Sequence, residues 1–293
     1  MIDFLIILAV KAFQGLLRLL SERHSSQTGI FFGRLGYLFL KGRRNVAIAN
    51  VMRVAPGTTR RQAIATARTC FEKLGVNFIE TLLFPYVKKA DLGGRFRLDM
   101  RGGAADALAE DQGVLALGFH YSNWEITGVA SSLLGREIVA LARPLKGHAG
   151  LDRFLNSLRA STGLTIIPNK DTARDVMRLL REKRMVAFLG DQREKRSKAV
   201  WVELFGKKVP TSKGIVAIAM KTGAPIIPIY SIREGFLRYT IVCDEPLPIE
   251  RTGAALEDLI YRNARRINAV LERIVAEHPE EWFLVHRRFG RDT

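Results

Sequence analysis

The sequence predicts an α/β fold: a single domain with a largely parallel central sheet flanked by helices, preceded by an N-terminal hydrophobic and amphipathic membrane helix. Two observations predict this class. From about residue 100 onward, short uncharged apolar runs alternate with segments of helical periodicity, as in sheets built from βαβ units. Residues 2–20, in contrast, are almost uniformly apolar. Because no linker-like stretch or internal repeat interrupts the 293-residue chain, we predict residues 1–22 as a membrane-anchoring helix and residues 23–293 as one domain.

The N-terminal segment has the composition of a helix that lies on a membrane. Its polar side chains up to residue 20 are Asp3, Lys11, Gln14 and Arg18. On a helical wheel these four lie within about 80° of one another, which leaves a wide apolar face. The longest apolar run, Phe4 to Val10, is too short to span a bilayer. The pattern favours an interfacial helix, with a tilted span and an ordinary core helix as alternatives.

The chain is strongly basic, with a formal net charge of +17 and a pI of about 10.3. Such a charge implies an anionic partner, which is a nucleic acid, an anionic lipid surface or an acidic protein. Between residues 18 and 71 the only acid is Glu22, against these cations: Arg18, Arg23, Arg34, Lys41, Arg43, Arg44, Arg53, Arg60, Arg61 and Arg68. This block follows the apolar N-terminus, which favours anionic inner-membrane lipids on the cytoplasmic face. Aromatic residues do not alternate with the cations and no DNA-binding motif is visible, so we expect no nucleic acid partner.

Cysteine and histidine usage predicts neither a disulfide framework nor a metal site. Cys70 and Cys243 are the only cysteines, and neither belongs to a C-x-x-C pair. The five histidines show no zinc-type spacing with cysteines or carboxylates. We therefore expect a reducing environment, no metal and no cofactor.

Beyond the N-terminus, residues 59–89 are predicted to be helical. The predicted strands are Val114–Phe119, Ile138–Ala142, Leu164–Pro168, Met185–Leu189, Val200–Leu204, Ile226–Ile232 and Tyr239–Cys243. The predicted helices are Trp124–Leu134, Leu151–Ser161, Asp171–Glu182, Ser212–Thr222 and Leu256–Ala276.

His120 stands at the junction between a predicted strand and a predicted helix, which is where parallel α/β sheets bind their ligands. Glu125 follows five residues later, in what would be the first turn of the helix, and its carboxylate can fold back toward the imidazole. Such a pair is what general-base chemistry needs, because the carboxylate orients the ring and stabilises the imidazolium. The alternative is structural: a lone histidine at a strand end is commonly a hydrogen-bonded residue, and the helix dipole alone favours a glutamate there.

Three other places should lie near the same crevice. Arg143 follows one predicted strand, and Asp191 and Gln192 follow another. Arg159 lies on the helix between two predicted strands. The alternative for Asp191 is a turn or cap, and the alternative for Arg159 is a solvated helix face.

Several separated segments, in the same order, resemble the bacterial lipid A biosynthesis acyltransferases, the late lauroyl and myristoyl transferases and their relatives. The segments are His120-Tyr-Ser-Asn-Trp-Glu125 (the H-x4-D/E motif), Arg143-Pro144 with Leu151-Asp152, Asp191-Gln192, the tail from Pro279 to Phe289, and Arg43 to Asn50. Tyr121 and Ser122 stand where Phe and Gly are common, and Leu284 stands where a second Trp is usual. The sequence is also similar to mycobacterial phosphatidylinositol mannoside acyltransferases. The F-P-E-G-T-R motif of glycerolipid acyltransferases is absent.

The resemblance implies an acyltransferase domain over residues 23–293, in which His120 is the general base and Glu125 its orienting partner. It also implies substrate-binding roles for these residues: Arg159, Asp191, Asn123, Arg143 and Gln192. The donor would be an acyl thioester on acyl carrier protein or coenzyme A, and the acceptor an anionic glycolipid such as a lipid A precursor. No cofactor is implied, and no G-x-S-x-G nucleophile elbow is present, as expected for direct transfer.

Two other functions stay open at this point. One is transfer to another acceptor, such as a phosphatidylinositol mannoside or a lysophospholipid. The other is a non-enzymatic basic protein that binds membranes or nucleic acid, for which the high pI is the main support.

Overall fold

The computed structural model describes residues 2–142, 144–168 and 172–290. The strands within these ranges are β1 (Phe96–Met100), β2 (Val114–Gly118), β3 (Ile138–Ala142), β4 (Leu164–Pro168), β5 (Met185–Leu189), β6 (Ala199–Leu204), β7 (Lys207–Ser212), β8 (Ile226–Gly235) and β9 (Arg238–Cys243). The helices are α1 (Ile2–Leu17), α2 (Glu22–Phe39), α3 (Lys41–Val54), α4 (Arg60–Leu83), α5 (Leu92–Arg95), α6 (Ala104–Ala109), α7 (Ala130–Leu134), α8 (Ala149–Ala160), α9 (Thr172–Arg181), α10 (Gly214–Thr222) and α11 (Leu256–Glu277). The predicted first residue of α9, Asp171, lies outside the described ranges.

Seven strands form the central sheet in the order β1-β9-β8-β2-β5-β3-β4. All neighbours pair in parallel except β8 and β9, which form an antiparallel hairpin. The predicted largely parallel α/β sheet is therefore confirmed. Strands β2 and β5 are adjacent, with Leu117 opposite Phe188, so both end at the same edge of the sheet.

Some details of the prediction differ from the structure. β3, β4 and β5 have the predicted bounds, whereas β1 and β7 were not predicted. The predicted strand at residues 200–204 pairs with β7 in a separate two-stranded hairpin. Its side chains alternate between buried (Val202, Leu204) and exposed (Trp201, Glu203), as expected for a strand with one face on the core.

Two helices of the N-terminal half, α2 and α4, approach each other so closely that only glycine fits at the crossing. A Cβ at Gly33 would lie 2.2 Å from the backbone oxygen of Phe71, and a Cβ at Gly75 would lie 2.1 Å from that of Gly29. α4 begins with a capping box between Thr59 and Gln62. The long helix α4 thus fixes α2 to the body of the domain.

Helix α1 is docked on this body through its polar residues. The Asp3 carboxylate accepts hydrogen bonds from the backbone N–H of Gly150 (3.1 Å) and from His148 (2.8 Å), and Gln14 donates to the Leu82 oxygen (2.8 Å). Apart from Lys11, its exposed side chains are apolar. Of the described helices, none is both long enough and apolar enough to cross a membrane. The membrane role of the N-terminal helix and the boundary after residue 22 stay predictions.

The C-terminal segment after α11 joins distant parts of the chain. Asn50 on α3 donates its side-chain N–H groups to the oxygens of Leu284 (2.7 Å) and His286 (2.9 Å), and Arg43 donates to Val285 (3.2 Å). Phe283 donates its backbone N–H to the His120 oxygen (2.8 Å). The tail is thereby held between α3 and the carboxyl edge of the sheet.

Candidate active site

His120 and Asp191 form a hydrogen-bonded pair where β2 and β5 end. The imidazole Nδ1 lies 2.7 Å from Asp191 Oδ1, and the His120 backbone N–H donates to Asp191 Oδ2 (2.9 Å). Both residues are almost completely buried. Because adjacent parallel strands end side by side, the sheet itself sets this pair at its carboxyl edge, where α/β proteins bind ligands.

Asp191 receives only hydrogen-bond donors, which keeps it ionised. Its third donor is the indole N–H of Trp282, at 2.8 Å. Burial alone would raise the pKa of Asp191, but the charge of His120 and the hydrogen bonds from His120 and Trp282 outweigh it and hold that pKa below its ordinary value. An ionised acceptor on Nδ1 requires the proton on Nδ1, so in the neutral form of the ring the lone pair is on Nε2, where it can act as a base.

On the Nε2 side of the imidazole lies Gln192, at a narrow cleft that has no room for a water-sized molecule in this structure. Gln192 is exposed and its amide nitrogen lies 3.1 Å from Nε2, so it donates to the lone pair in the resting state. Phe283 and Trp124 flank the ring, with centroids 5.7 and 5.0 Å away. A substrate hydroxyl that displaces the Gln192 amide would reach Nε2 directly.

His286 lines the same cleft as His120. Its Nε2 accepts a hydrogen bond from the Arg193 backbone N–H (3.2 Å). Burial, and the nearby positive charges of His120, Arg288 and Arg43, lower the pKa of His286 despite the opposing charge of Asp191. A neutral imidazole at this wall leaves His120 as the cleft histidine that is oriented by a carboxylate.

The turn that carries His120 is strained at Ser122, whose φ of 52° lies in the left-handed region. The turn is held on both sides: Asn77 on α4 donates to the Ser122 oxygen (2.6 Å), and Ser122 donates its N–H to the Glu281 oxygen (2.8 Å). The Ser122 hydroxyl is buried and has no hydrogen-bond partner among the described residues. A glycine would fit this conformation better.

Glu80 lies beneath this turn as a completely buried carboxylate. Arg233 and Tyr239 both hydrogen-bond to it, at 2.6 and 2.5 Å. Asn123 donates its amide N–H to the same carboxylate (3.0 Å) and is 1% exposed. The structure therefore places the Asn123 amide in a buried network that supports the turn, and the substrate-binding role of Asn123 stays a prediction.

The predicted contact between Glu125 and His120 is wrong. After His120 the chain forms a 3-10 turn (Ile126–Val129) before α7, so Glu125 does not fold back as it would from an α-helical first turn. Its two carboxylate oxygens instead accept from Arg159 Nε (2.9 Å) and Nη2 (3.0 Å). Asp191, and not Glu125, is the carboxylate that contacts the imidazole, and Glu125 and Arg159 form a separate bidentate pair.

The remaining predicted residue, Arg143, lies outside the described residues. Sequence reasoning did not assign a role to Trp282, Asn77 or Glu80. Trp282 stands in the tail motif, which was a usable signal. Asn77 and Glu80 lie in an amphipathic helix and carry no local signal of their own.

Arg288 is a completely buried cation behind the site. It donates to the Pro210 oxygen (2.6 Å) and to the Thr211 hydroxyl (2.7 Å), which ties the tail to the β6–β7 hairpin. Burial lowers its pKa to about 10, against the raising effect of the Asp191 charge. Within the described part of the chain, no three His, Cys, Asp or Glu side chains are grouped so that they could hold a metal ion.

A buried histidine–aspartate pair at the carboxyl edge of a parallel sheet defines a site for general-base chemistry. Residues 1–291 match the sequence profile of the bacterial lipid A biosynthesis acyltransferases. The chain belongs to this family and is therefore a member of a family of acyltransferases.

Characterised relatives agree with this assignment. The chain is 20% identical to the lipid A biosynthesis palmitoleoyltransferase of Escherichia coli K12 over 266 residues, which are 89% of this chain and 83% of that protein. It is 21% identical to the lauroyltransferase of the same organism over 268 residues, with the same coverage. A phosphatidylinositol mannoside acyltransferase of Mycobacterium tuberculosis is 24% identical over 208 residues, which are 69% of this chain and 60% of that protein.

Proposed function

We propose that this protein transfers a fatty acyl group from a thioester donor, either acyl carrier protein or coenzyme A, to a hydroxyl of a lipid A precursor or a related anionic glycolipid. The observation that carries the proposal is the hydrogen-bonded His120–Asp191 pair, in which Nε2 of His120 lies beside the exposed amide of Gln192. Family membership supplies the reaction class. The low identity to each relative leaves the acceptor open.

In the proposed step, His120 Nε2 removes the proton of the acceptor hydroxyl as its oxygen attacks the thioester carbonyl carbon. The carbon–sulfur bond then breaks, and the thiolate leaves with the proton that His120 returns. Asp191 stabilises the imidazolium that forms between these two events, because its charge lies 2.7 Å from Nδ1. A thioester is already activated, so no covalent acyl-enzyme is required.

The chemistry of the two cysteines favours direct transfer. Burial raises the pKa of Cys70 to about 12, and burial also raises that of Cys243 to about 12. A thiol nucleophile needs a low pKa and access to substrate, and neither cysteine has them. The proposed reaction therefore proceeds with donor and acceptor bound together.

Glu125 and Arg159 are proposed to position the substrate for the reaction. A guanidinium held by a bidentate carboxylate keeps its orientation and retains N–H donors for a phosphate group. Arg159 is proposed to bind an acceptor phosphate or the phosphopantetheine arm of the donor, with Glu125 holding it in place. The acceptor hydroxyl is proposed to bind where the Gln192 amide nitrogen now lies, since that amide occupies the hydrogen-bonding position on His120 Nε2.

We propose that the outer face of α1 and α2 attaches the protein to the cytoplasmic face of the inner membrane. Side chains at least 40% exposed on these helices and their ends include Ile2, Phe4, Leu5, Leu8, Leu16, Leu19, Phe31, Leu38 and Phe39. Exposed apolar side chains on a docked helix are typical of a face that lies in a membrane interface. The net charge of +17 would favour both anionic lipids and an acidic carrier protein.

The test is acyl transfer in detergent micelles by wild type and His120→Ala, with labelled acyl carrier protein or acyl-coenzyme A as donor. Lipid A precursors and phosphatidylinositol mannosides serve as acceptors. We expect wild type to acylate one acceptor class and His120→Ala to be slower by about 10² to 10⁴. Equal rates for both proteins would refute His120 as the base, and no transfer to either acceptor class would refute the proposed substrates.

A further inference from the structure

A second concave surface, which we call the basic groove, lies beside the cleft. It is lined by Phe39, Leu40, Lys41, Gly42, Arg43 and Arg287, with a volume of about 560 Å³. This size falls in the usual range for small-molecule sites. The lining combines two apolar side chains with three cations and, among the described residues, includes no carboxylate.

Among the residues that the structure describes, no ion pair includes a cation of the basic groove. Lys41 and Arg287 are exposed and form no ion pair within the described residues, and Arg43 donates to the backbone oxygen of Val285. By contrast, Arg34 and Arg68 of the same basic stretch both pair with Glu72. The groove therefore holds uncompensated positive charge.

The backbone at the groove adds to this charge. α3 begins at Lys41, and its N-cap residue Leu40 offers no side-chain acceptor to the first-turn N–H groups. Gly42 has open space where a side chain would be. Free N–H groups at a helix start favour phosphate oxygens, and here they are joined by three cationic side chains.

The basic groove and the catalytic cleft share one chain segment. His286 lines the cleft and Arg287, the next residue, lines the groove. The charge of Arg43 is close enough to contribute to the lowered pKa of His286. A ligand that fills the groove therefore contacts Arg287, the chain neighbour of the cleft residue His286, and Phe39 and Leu40 suit its apolar part.

We infer that the basic groove binds a phosphate group of the glycolipid acceptor, with Lys41, Arg43 and Arg287 as ligands and Phe39 and Leu40 against its lipid portion. This inference rests on the proposed function, and it adds a site for one end of the acceptor. Lys41, Arg43 and Arg287 then determine acceptor affinity, and His120 determines the rate of transfer.

The experiment measures binding to micelles of three probes: a phosphorylated lipid A precursor, the same lipid after phosphatase treatment, and phosphatidylglycerol. The variant Lys41→Gln/Arg287→Gln is compared with Arg60→Gln/Arg61→Gln, which removes equal charge from exposed residues of the same basic stretch. We expect the groove variant to bind the phosphorylated precursor roughly tenfold more weakly, since charge-assisted hydrogen bonds are lost. The phosphatase-treated lipid should bind both variants equally.

Three results would overturn the inference. They are unchanged affinity of the groove variant, an equal loss in the control variant, or an equal loss for phosphatidylglycerol, which would assign the groove to the bilayer. Transfer assays on the same proteins separate the two proposals. A groove-dependent affinity with no acyl transfer by wild type would refute the proposed function alone, and normal acceptor KM in an active groove variant would refute this inference alone.

Discussion

Two regions of the molecule differ in how far contacts within the chain account for their side chains. They are the carboxyl edge of β2 and β5 and the outer face of α1 and α2. At the sheet edge, the Asp191 oxygens accept from three donors and the turn at Ser122 is held from two sides. On the outer face, large apolar side chains such as Phe4 and Phe39 are 67% and 77% exposed. The sheet edge is held in place by hydrogen bonds within the chain. The outer face exposes apolar surface of a kind that monomeric proteins in water rarely show as one continuous patch.

This difference agrees with the two proposed roles, catalysis at the sheet edge and membrane attachment at the outer face. A general base needs a fixed tautomer and orientation, which burial and hydrogen bonds supply. A membrane-facing surface needs the opposite, because its stabilisation arises when the apolar face leaves water. Two polar residues of α1, Asp3 and Gln14, point into the protein, and apart from Lys11 the exposed side chains of this helix are apolar. An amphipathic helix of an ordinary soluble domain has the reverse orientation.

The largest expected effect is a loss of kcat. It should come from removing the negative charge of Asp191, which lies on the Nδ1 side of the His120 ring. Asp191→Asn keeps the side-chain size but removes the carboxylate that selects the tautomer and stabilises the imidazolium, so kcat should fall by about 10² to 10⁴. The control is Glu125→Gln, which leaves both hydrogen bonds of the His120 ring in place and should act mainly on acceptor KM. A larger loss of kcat in Glu125→Gln than in Asp191→Asn would restore Glu125 as the partner of His120.

Next in size is the loss of membrane binding from the outer face. Phe4, Leu5 and Leu8 are each more than half exposed. Transfer of each into the interface is worth about 1 kcal/mol, so changing all three to serine should weaken vesicle binding on the order of 10²-fold without lowering Tm. Vesicle sedimentation measures this, and Leu256→Ser, an exposed leucine on α11, is the matched control. Unchanged sedimentation of the triple variant would disprove the membrane role of this face.

Trp282→Phe, at the sheet edge, should have an intermediate effect, which is a loss of folding stability. It keeps an aromatic ring but removes the N–H donor to Asp191, which should cost about 1.5 to 3 kcal/mol of stability at neutral pH. Because this donor helps to depress the pKa of Asp191, the stability difference should be complete well above 3.8, the ordinary pKa of an aspartate. It should shrink as the pH falls below that value. A difference that is the same at pH 3 and pH 7 would contradict the assigned charge on Asp191.

The smallest expected effect is an increase in stability. Ser122→Gly relieves a left-handed backbone conformation and removes a buried hydroxyl that has no partner among the described residues, so stability should rise by about 1 kcal/mol. Chemical denaturation measures the change. Ser131→Gly, in the short helix α7, is a control that should lose stability, because helical backbone disfavours glycine. A loss in Ser122→Gly would show that the hydroxyl contributes to the turn.

The sequence predicted the structure well for features that depend on a single strand or helix. The uncharged runs predicted β2 and β5, and His120 and Asp191 were both placed at strand ends. Their pairing was not predictable, because it depends on β2 and β5 being neighbours in the sheet, and strand order is set by packing of the whole chain. Glu125, close in sequence, was the natural but wrong partner for His120.

Other parts of the site depend on contacts between distant segments. Trp282 reaches Asp191 across 91 residues, and Arg233 reaches Glu80 across 153. The glycines of α2 and α4 gave no signal of a close crossing, since a helix pattern does not identify its partner. The tail motif carries part of the family resemblance, but only the structure shows that the tail contacts His120 and Asp191.

The measurement that tests the central claim most directly is the pH dependence of single-turnover acyl transfer by wild type and His120→Ala. If the neutral imidazole of His120 is the base, the wild-type rate should rise with pH as one group loses its proton, and then level off. The residual rate of His120→Ala should lack that rise. A flat wild-type profile, or the same rise in the variant, would contradict general-base catalysis by His120.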